Sequence, residues 1–233
     1  STRTVVMAAY YTHPAGPGNQ HAIVSFRRRV RYNPTLVWSR SRMSYTPIPE
    51  ILEDLQAGRM IVLVDDESRE NEGDIVVAAE RVTPEAVNFM LRHARGYVCL
   101  AVTEETADRL DLPLQTDNNT SRFRTAFTIS IDASEGVTTG VSAQDRAHTI
   151  RTAIRDGAKP EHLVRPGHVN PLRARTGGVR VRAGHTEGSV DLVRLAGLKP
   201  AAVICEILNE DGTASKVPEL APFCARHGLK IAS

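Results

Sequence analysis

Cysteine is scarce in this sequence, and no apolar run in it is long. The three cysteines, Cys99, Cys205 and Cys224, lie far apart, and none belongs to a CxxC pair. This spacing argues against a structural zinc site and predicts three buried thiols in a reducing compartment. The lack of an apolar run of membrane-spanning length argues against membrane association. We therefore expect a cytoplasmic protein without a membrane partner.

Acidic residues are absent from the first 43 residues, although these include seven arginines: Arg3, Arg27, Arg28, Arg29, Arg31, Arg40 and Arg42. Because the whole chain has 29 basic and 27 acidic side chains, residues 44–233 carry 22 and 27, which gives a net charge of −5. A mildly acidic body of this kind argues against a duplex-binding surface, so we expect no nucleic-acid partner.

Residues 1–43 also lack hydrophobic periodicity. We interpret them as a basic, disordered extension and place the start of the folded domain at residue 44. Three alternatives stay open. The segment could be an organellar transit peptide, which would place the protein in an organelle. It could be translated upstream sequence ahead of a natural start at Met43, or a basic arm that binds nucleic acid.

Residues 44–233 alternate between helical and strand patterns. The apolar spacing within residues 48–55 predicts a helix that ends near Gly58. Thr83 before Pro84 predicts the start of another helix, and Ser142 predicts the cap of a third. Further helices are predicted near residues 104–110, 143–156, 187–196 and 219–227. Strands are predicted at residues 60–64, 75–79, 97–102, 126–132, 202–208 and 229–232. This order predicts an α/β chain of the α+β type, a single domain in which helices cover a mixed sheet in three α/β/α-like layers.

The segment from Lys159 to His185 departs from that regular pattern. It combines three prolines with four glycines. We interpret it as a long irregular region within an otherwise regular domain, and such regions often carry function.

The most unusual stretch is residues 65–74, which hold six carboxylates and one arginine in ten positions. Short β-branched runs precede and follow it, which predicts a loop at the ends of two buried strands. A charge run is usually a solvated turn. Here the crowding of carboxylates favours a nearby cation or cationic group, and hard oxygen ligands suit Mg²⁺ or Mn²⁺ better than zinc.

Two histidines of the irregular region, His168 and His185, each follow a glycine. A single histidine in a loop is most often an ordinary surface residue. A neutral imidazole can also complete a metal site begun by carboxylates, or move protons near neutral pH. Both histidines are therefore candidates for the site.

Phosphate binding is indicated at two predicted helix starts. Residues 182–186 offer a guanidinium, backbone N–H groups and a hydroxyl, and residues 137–142, which include Thr139, offer similar groups. Glycine and small hydroxyl residues also form simple caps, and neither segment matches a P-loop or dinucleotide fingerprint. Glu206 lies in a predicted apolar strand. It is either a structural residue on the solvent-facing side of the sheet or a general acid or base.

Five segments, in order, resemble the signature of the 3,4-dihydroxy-2-butanone 4-phosphate synthase family of riboflavin biosynthesis. They are residues 65–74, 118–121, 135–142, 165–169 and 184–187. The resemblance extends from about residue 47 to the C-terminus. It implies a lyase that converts D-ribulose 5-phosphate to L-3,4-dihydroxy-2-butanone 4-phosphate and formate. It also implies a requirement for Mg²⁺ or Mn²⁺ and a homodimer with sites near the interface.

The same resemblance assigns roles to individual residues. Glu70 and His185 match metal ligands, and His168 and Glu206 match catalytic positions. The matching substrate-binding positions are Arg69, Glu70, Asp74, Thr139, Arg182, Ala183, Gly184, His185, Thr186 and Glu206.

Two features depart from many relatives. Arg122 and Arg124 stand where smaller residues are common, with a glycine near position 124, so we expect an altered loop shape or altered phosphate contacts. Some relatives carry a C-terminal GTP cyclohydrolase domain. The printed chain has no Cys-rich zinc segment, and we expect it not to encode that activity.

Two other functions stay open from the residues alone. The acidic, histidine and phosphate-binding features would also suit a metal-dependent isomerase or aldolase acting on sugar phosphates. A non-catalytic domain kept for dimerisation or scaffolding is the second alternative.

Overall fold

Seven strands form one mixed sheet in the computed structural model, which describes residues 45–233. The strands are β1 (Ile61–Val64), β2 (Gly73–Ala78), β3 (Cys99–Thr103), β4 (Ile131–Ala133), β5 (Leu163–Ala174), β6 (Ala201–Glu206) and β7 (Lys230–Ala232). Their order across the sheet is β4-β5-β3-β6-β2-β1-β7. The pairs β3/β5 and β1/β7 are parallel, and the other neighbours are antiparallel. The prediction of a disordered extension over residues 1–43 lies outside the described residues.

Six α-helices of the described part of the chain pack on this sheet. They are α1 (Ile48–Gln56), α2 (Pro84–Phe89), α3 (Glu104–Arg109), α4 (Ala143–Ile154), α5 (His185–Leu195) and α6 (Val217–His227). A π-helical turn, Met90–Ala94, continues α2, and short 3₁₀ turns occupy Ala79–Arg81, Pro160–His162 and Gly178–Arg180. None of these helices has the length and apolar character needed to cross a bilayer.

The helix starts follow the predicted capping chemistry. The Thr83 side chain accepts a hydrogen bond from the Ala86 N–H at 3.2 Å, and Ser142 accepts one from the Asp145 N–H at 3.0 Å. The predicted helix from Pro84 to about residue 95 is present as α2 and its π turn. It ends at Arg95, whose φ of +66° leaves the helical region.

The sheet is buried on both faces. Along β2, Ile75 and Val77 belong to the core shared with α2, α4 and α6, whereas Val76 and Ala78 belong to the core shared with α1 and α5. Alternate residues of one strand thus serve two cores, as the pleat of a strand requires. The prediction of a mixed sheet covered on both faces is confirmed, and we call the side covered by α1 and α5 the α5 face.

The three cysteines are free and buried, as predicted. Burial raises the pKa of the Cys99 and Cys205 thiols, and it raises that of Cys224 to about 11. All three thiols therefore stay protonated at neutral pH and behave as small core residues.

The prediction of an irregular region from residue 159 to residue 185 is wrong for its first half. The twelve-residue strand β5 lies there. Its two prolines and one glycine conceal it in the sequence, yet Pro171 and Gly167 both fit the sheet. The Pro171 carbonyl accepts a hydrogen bond from the Thr128 N–H at 3.0 Å. Gly167 lies so close to β4 that a Cβ would fall 2.0 Å from the Ile131 carbonyl carbon.

Candidate active site

One end of the α5 face brings two carboxylates together. Asp74 on β2 is the direct register partner of Glu206 on β6. Both side chains point to the face that also holds Val76 and Ile204, because they alternate with the residues buried on the other side. The Tyr97 N–H donates to Glu206 Oε2 at 2.7 Å and fixes that carboxylate at the end of its strand.

The acidic loop between β1 and β2 is organised by Asp65. Its buried carboxylate accepts hydrogen bonds from the Glu70 and Glu72 N–H groups, both at 3.0 Å, and from Arg69 Nη1 at 2.8 Å. Three bonds from one side chain fix the path of the loop. Sequence reasoning placed Asp65 in the loop but did not identify this role.

Two cations hold the loop in place. Arg69 Nη1 lies 2.6 Å from Glu70 Oε1 in addition to its contact with Asp65. Lys216, at the start of α6, donates from Nζ to the Glu70 carbonyl and to Glu72 Oε1, both at 2.9 Å. Sequence reasoning missed Lys216, since nothing near it in the chain indicated a contact with a segment about 145 positions away.

His185 is the first residue of α5 and faces the acidic loop. It is 8% exposed. Its Nε2 lies 3.3 Å from the Glu72 carbonyl oxygen, and its Nδ1 lies 3.7 Å from Asp74 Oδ1. Burial lowers the pKa of His185, although the Asp65 and Glu70 carboxylates act in the opposite direction. The imidazole is therefore neutral at neutral pH, the form that binds metals.

Asp74 carries a buried oxygen without a partner. The residue is 2% exposed, and its Oδ1 has no hydrogen bond within the described part of the chain. Burial raises the pKa of Asp74 well above its ordinary value, and the neighbouring carboxylates, Glu206 first, raise it further. A buried carboxylate oxygen of this kind is stabilised by a proton or by a cationic ligand.

The predicted metal ligands fit a magnesium ion rather than a closed zinc site. Among residues 45–233, no group of three or more His, Cys, Asp and Glu side chains is arranged to hold a metal. Glu70 and the neutral His185 lie on the acidic loop and the adjoining helix start, beside the unpartnered oxygen of Asp74. Mg²⁺ commonly takes one or two protein ligands and completes its shell with water and substrate oxygens.

Two guanidinium groups converge at the N-terminus of α5. A Cβ at Gly184, the N-cap of that helix, would fall 2.5 Å from Arg182 Nη1 and 3.1 Å from Arg69 Nη2. Arg182 is held by Glu187 Oε2 at 2.6 Å and by Thr125 Oγ1 at 3.0 Å. Positive side chains beside free helix N–H groups make an anion site. Residues 182–186 thus lie where a phosphate group can bind, with Ala183 exposed and Thr186 buried in the first turn.

The loop with the two unusual arginines packs on this anion site. The Phe123 ring lies 4.9 Å from the Arg69 guanidinium and 5.0 Å from that of Arg122. Arg182 also donates from Nε and Nη2 to the Phe123 carbonyl, both at 3.2 Å. Arg124 adopts a φ of +53°, a left-handed conformation in which glycine is at ease. This conformation explains why a glycine would suit position 124.

We expect Arg124→Gly to leave the protein as stable as the wild type or to stabilise it by up to about 1 kcal/mol. The left-handed conformation costs an L-residue about 1–2 kcal/mol, and the extra chain entropy of glycine offsets roughly half of this. Denaturant unfolding of the two proteins checks the difference. Arg122→Gly is the matched control, since it removes the same side chain two positions earlier in the same loop, where φ is not positive. A larger loss of stability in Arg124→Gly than in Arg122→Gly would contradict this explanation.

Thr139 and His168 form a second group, at the β4–β5 edge of the same end of the sheet. His168 Nδ1 lies 2.7 Å from Asp132 Oδ2. The loop that carries Thr139 is held by Asp145, whose carboxylate accepts from Thr138 Oγ1 at 2.7 Å and from the Gly140 N–H at 3.1 Å. The hydrogen bonds from the Thr138 side chain and backbone are the main causes that lower the pKa of Asp145 to about 2. Sequence reasoning missed the roles of both aspartates.

The two groups occupy different strands of the sheet. Strands β5 and β6 are separated by β3, so His168 and Glu206 stand two strands, or about 10 Å, apart. The structure therefore brings together Arg69, Glu70, Asp74, Arg182, Ala183, Gly184, His185, Thr186 and Glu206. It places Thr139 and His168 beside that cluster as a separate pair.

The site offers the groups that suit a phosphorylated, oxygen-rich ligand and a divalent cation. Carboxylates, a neutral imidazole and an anion-binding helix start meet at one end of the sheet. Comparison with known proteins then identifies the family. Residues 49–233 match the family model of 3,4-dihydroxy-2-butanone 4-phosphate synthase. The chain belongs to this family.

Curated relatives support that assignment. A 3,4-dihydroxy-2-butanone 4-phosphate synthase of Neisseria meningitidis serogroup B is 57% identical over 186 residues, which cover 80% of this chain and 51% of the relative. The protein of the same name from Syntrophotalea carbinolica is 53% identical over 191 residues, covering 81% and 88%. The chain thus spans about half the length of several curated relatives that it matches.

A solved structure shares the fold. It is described as 3,4-dihydroxy-2-butanone 4-phosphate synthase in complex with two magnesium ions. It is 44% identical to this chain with a TM-score of 0.75, and the match covers 81% of this chain and 93% of the other.

Proposed function

We propose that the protein is a lyase of riboflavin biosynthesis that converts D-ribulose 5-phosphate to L-3,4-dihydroxy-2-butanone 4-phosphate and formate. The observation that carries the proposal is the meeting of the acidic loop, His185 and two guanidinium groups at the start of α5. Membership of the synthase family supports the choice of this reaction.

The phosphate of the substrate is assigned to the anion site at α5. Arg69 and Arg182 reach the N-cap Gly184, where the helix also offers backbone N–H groups. A sugar phosphate brings two negative charges towards a loop that is itself acidic. The guanidinium groups offset this repulsion and fix the end of the substrate away from the reacting carbons.

The residues proposed to hold a divalent cation are Glu70 and His185. Mg²⁺ is the favoured ion, with Mn²⁺ as the alternative, because the acidic loop that carries Glu70 is rich in carboxylate oxygen. The relative described with two magnesium ions supports a divalent metal. When bound, such an ion supplies Lewis-acid polarisation of the ketone and diol oxygens of the substrate.

The proton transfers are assigned to Glu206, His168 and the acidic loop. The reaction needs a proton removed next to a ketone, loss of a hydroxyl and release of a carbon fragment, and each step moves a proton. Glu206 lies at the end of its strand beside Asp74. The raised pKa of Asp74 suits that carboxyl group to carry a proton. Thr139 is assigned to substrate binding next to His168.

A formate assay tests the proposal. The protein is incubated with D-ribulose 5-phosphate and Mg²⁺, and formate is measured with a coupled dehydrogenase. We expect formate to accumulate in proportion to protein. An isomerase or an aldolase would consume the substrate without formate, and a scaffolding domain would leave it unchanged, so either result would replace the proposed reaction.

The homodimer and the location form part of the same proposal. Three exposed apolar side chains, Tyr97, Val141 and Val164, flank the segments that carry Thr139 and His168. They would be covered if a second copy packed at this end of the sheet, and the resemblance implies such a dimer. The free, buried thiols suit the reducing cytoplasm.

The proposed domain boundary gives a further expectation. Removing residues 1–43 should leave the melting temperature and the rate of formate release unchanged, because the family match begins only at residue 49. Thermal melting and the formate assay on the truncated and full chains check this. A large fall in either quantity would show that the segment contributes to the folded domain.

A further inference from the structure

Asp132 and His168 make two hydrogen bonds with each other across the β4–β5 pair. The His168 N–H donates to Asp132 Oδ1 at 3.0 Å, and the ring nitrogen Nδ1 lies 2.7 Å from Asp132 Oδ2. The aspartate side chain is 9% exposed, whereas that of the histidine is 43% exposed. A buried carboxylate therefore holds the ring and the backbone of a histidine that faces outwards.

The surrounding backbone is shaped to allow this contact. The register of β4 and β5 shifts between Ile131 and Asp132. Two glycines leave the necessary space. A Cβ at Gly167 would fall 2.2 Å from the Asp132 nitrogen, and one at Gly140 would fall 2.1 Å from Asp132 Oδ2 and 2.6 Å from His168 Nδ1. The bulge and both glycines thus serve one arrangement of the Asp132–His168 pair.

The contact also determines which ring nitrogen carries the proton. An ionised carboxylate can only accept hydrogen bonds. A neutral His168 must therefore carry its proton on Nδ1, facing Asp132 Oδ2, and its lone pair on Nε2.

We propose that Asp132 is a positioning residue that orients His168 and keeps its Nε2 free to accept a proton from the substrate. The inference rests on the catalytic role of His168 in the proposed function. In the step it serves, Nε2 takes a proton from the substrate, whose bonding electron pair stays on the substrate. The Asp132 carboxylate stabilises the imidazolium until the proton is returned, as carboxylates paired with histidine do in other enzymes.

Asp132→Asn separates positioning from simple structural support. The amide oxygen can still accept the His168 N–H. Its NH₂ group would face Nδ1 and donate to it, which moves the ring proton to Nε2. We expect kcat for formate release to fall on the order of 10²- to 10⁴-fold while KM changes little.

Ring ¹⁵N spectra of histidine-labelled protein report the tautomer directly. They are recorded at about pH 8.5, some two units above the ordinary histidine pKa of about 6.5. The His168 signal is assigned by its loss in His168→Gln. We expect the proton on Nδ1 in the wild type and on Nε2 in Asp132→Asn.

Asp54→Asn is the matched control. Asp54 is also buried, it bonds to Arg59 and Lys230 at the opposite edge of the sheet, and its loss should change neither kcat nor the His168 spectrum. A wild-type proton on Nε2, or an Asp132→Asn variant with wild-type tautomer or turnover, would overturn the inference. The wild-type spectrum by itself tests the position of the His168 ring proton, so the inference stays testable even if the variant does not fold. Absence of formate from the wild type would instead overturn the proposed function and leave the spectra to judge Asp132.

Discussion

Glu206→Gln should keep its fold and lose most of its turnover. The strand around Glu206 is apolar, and a carboxylate in such surroundings is unfavourable unless it has a partner or a function. Within residues 45–233 the Glu206 carboxylate accepts one hydrogen bond, from the Tyr97 N–H at 2.7 Å, and the oxygen of glutamine can also accept this bond. An amide cannot exchange protons, and loss of a general acid or base typically costs about 10²- to 10⁴-fold in rate.

The stability of this variant should equal or exceed that of the wild type. Glu206 faces Asp74 in the sheet and, after burial, is the main neighbour that raises the pKa of Asp74. Replacing it with a neutral amide removes the negative charge that opposes ionisation of the buried Asp74 carboxyl group. A protein gains folding stability when an unfavourable interaction of this kind is removed from its active site.

Glu80→Gln is the control for that experiment. Glu80 Oε2 likewise accepts a hydrogen bond from a distant backbone N–H, that of Lys199 at 2.9 Å, but it lies outside the site. Melting temperature and formate release should be measured on the same preparations. Near-normal turnover in a stably folded Glu206→Gln would reduce Glu206 to a structural residue and leave the proton transfers to His168 and the acidic loop.

Chelation should abolish formate release, and added Mg²⁺ or Mn²⁺ should restore it. Carboxylates crowd the acidic loop, one Asp74 oxygen has no partner within residues 45–233, and His185 is held neutral by burial. Groups of this kind suit a hard divalent cation better than they suit one another. The assay is run on protein treated with a chelator and then dialysed, before and after the metal is returned.

Thermal melting provides a readout that does not depend on activity. A cation that binds only the folded protein raises the melting temperature as its concentration rises. Glu70→Gln should remove this rise, whereas Glu67→Gln should keep it, because Glu67 is an exposed carboxylate of the same loop. Full activity of the metal-free protein, or an equal rise in both variants, would contradict the assignment of Glu70.

The elements that follow local rules could be predicted from the sequence. Helix α1 follows from apolar spacing, and α2 and α4 begin at the caps Thr83 and Ser142. Strand β5 could not be predicted in this way. Gly167 lies against β4, and the Pro171 carbonyl accepts a hydrogen bond from the segment before β4. Such pairing is set by the whole fold.

The same distinction holds for the site. The segments that bear Glu70, His168 and His185 stand out in the sequence because charge or glycine marks them. Asp132 and Lys216, which hold the segments of His168 and Glu70, carry no local mark in the sequence. Each acts through a contact that exists only after distant strands and loops have come together, such as Lys216 with the Glu70 carbonyl. The reacting groups can be identified from a single sequence more readily than the residues that position them.

The most direct test of the proposed function follows every carbon of the substrate. Uniformly ¹³C-labelled D-ribulose 5-phosphate is incubated with the protein and Mg²⁺, and the products are observed by NMR. We expect labelled formate and a four-carbon ketone phosphate in equal amounts, with neither formed after chelation. A product that keeps all five carbons, or a split into two- and three-carbon fragments, would contradict the proposed function.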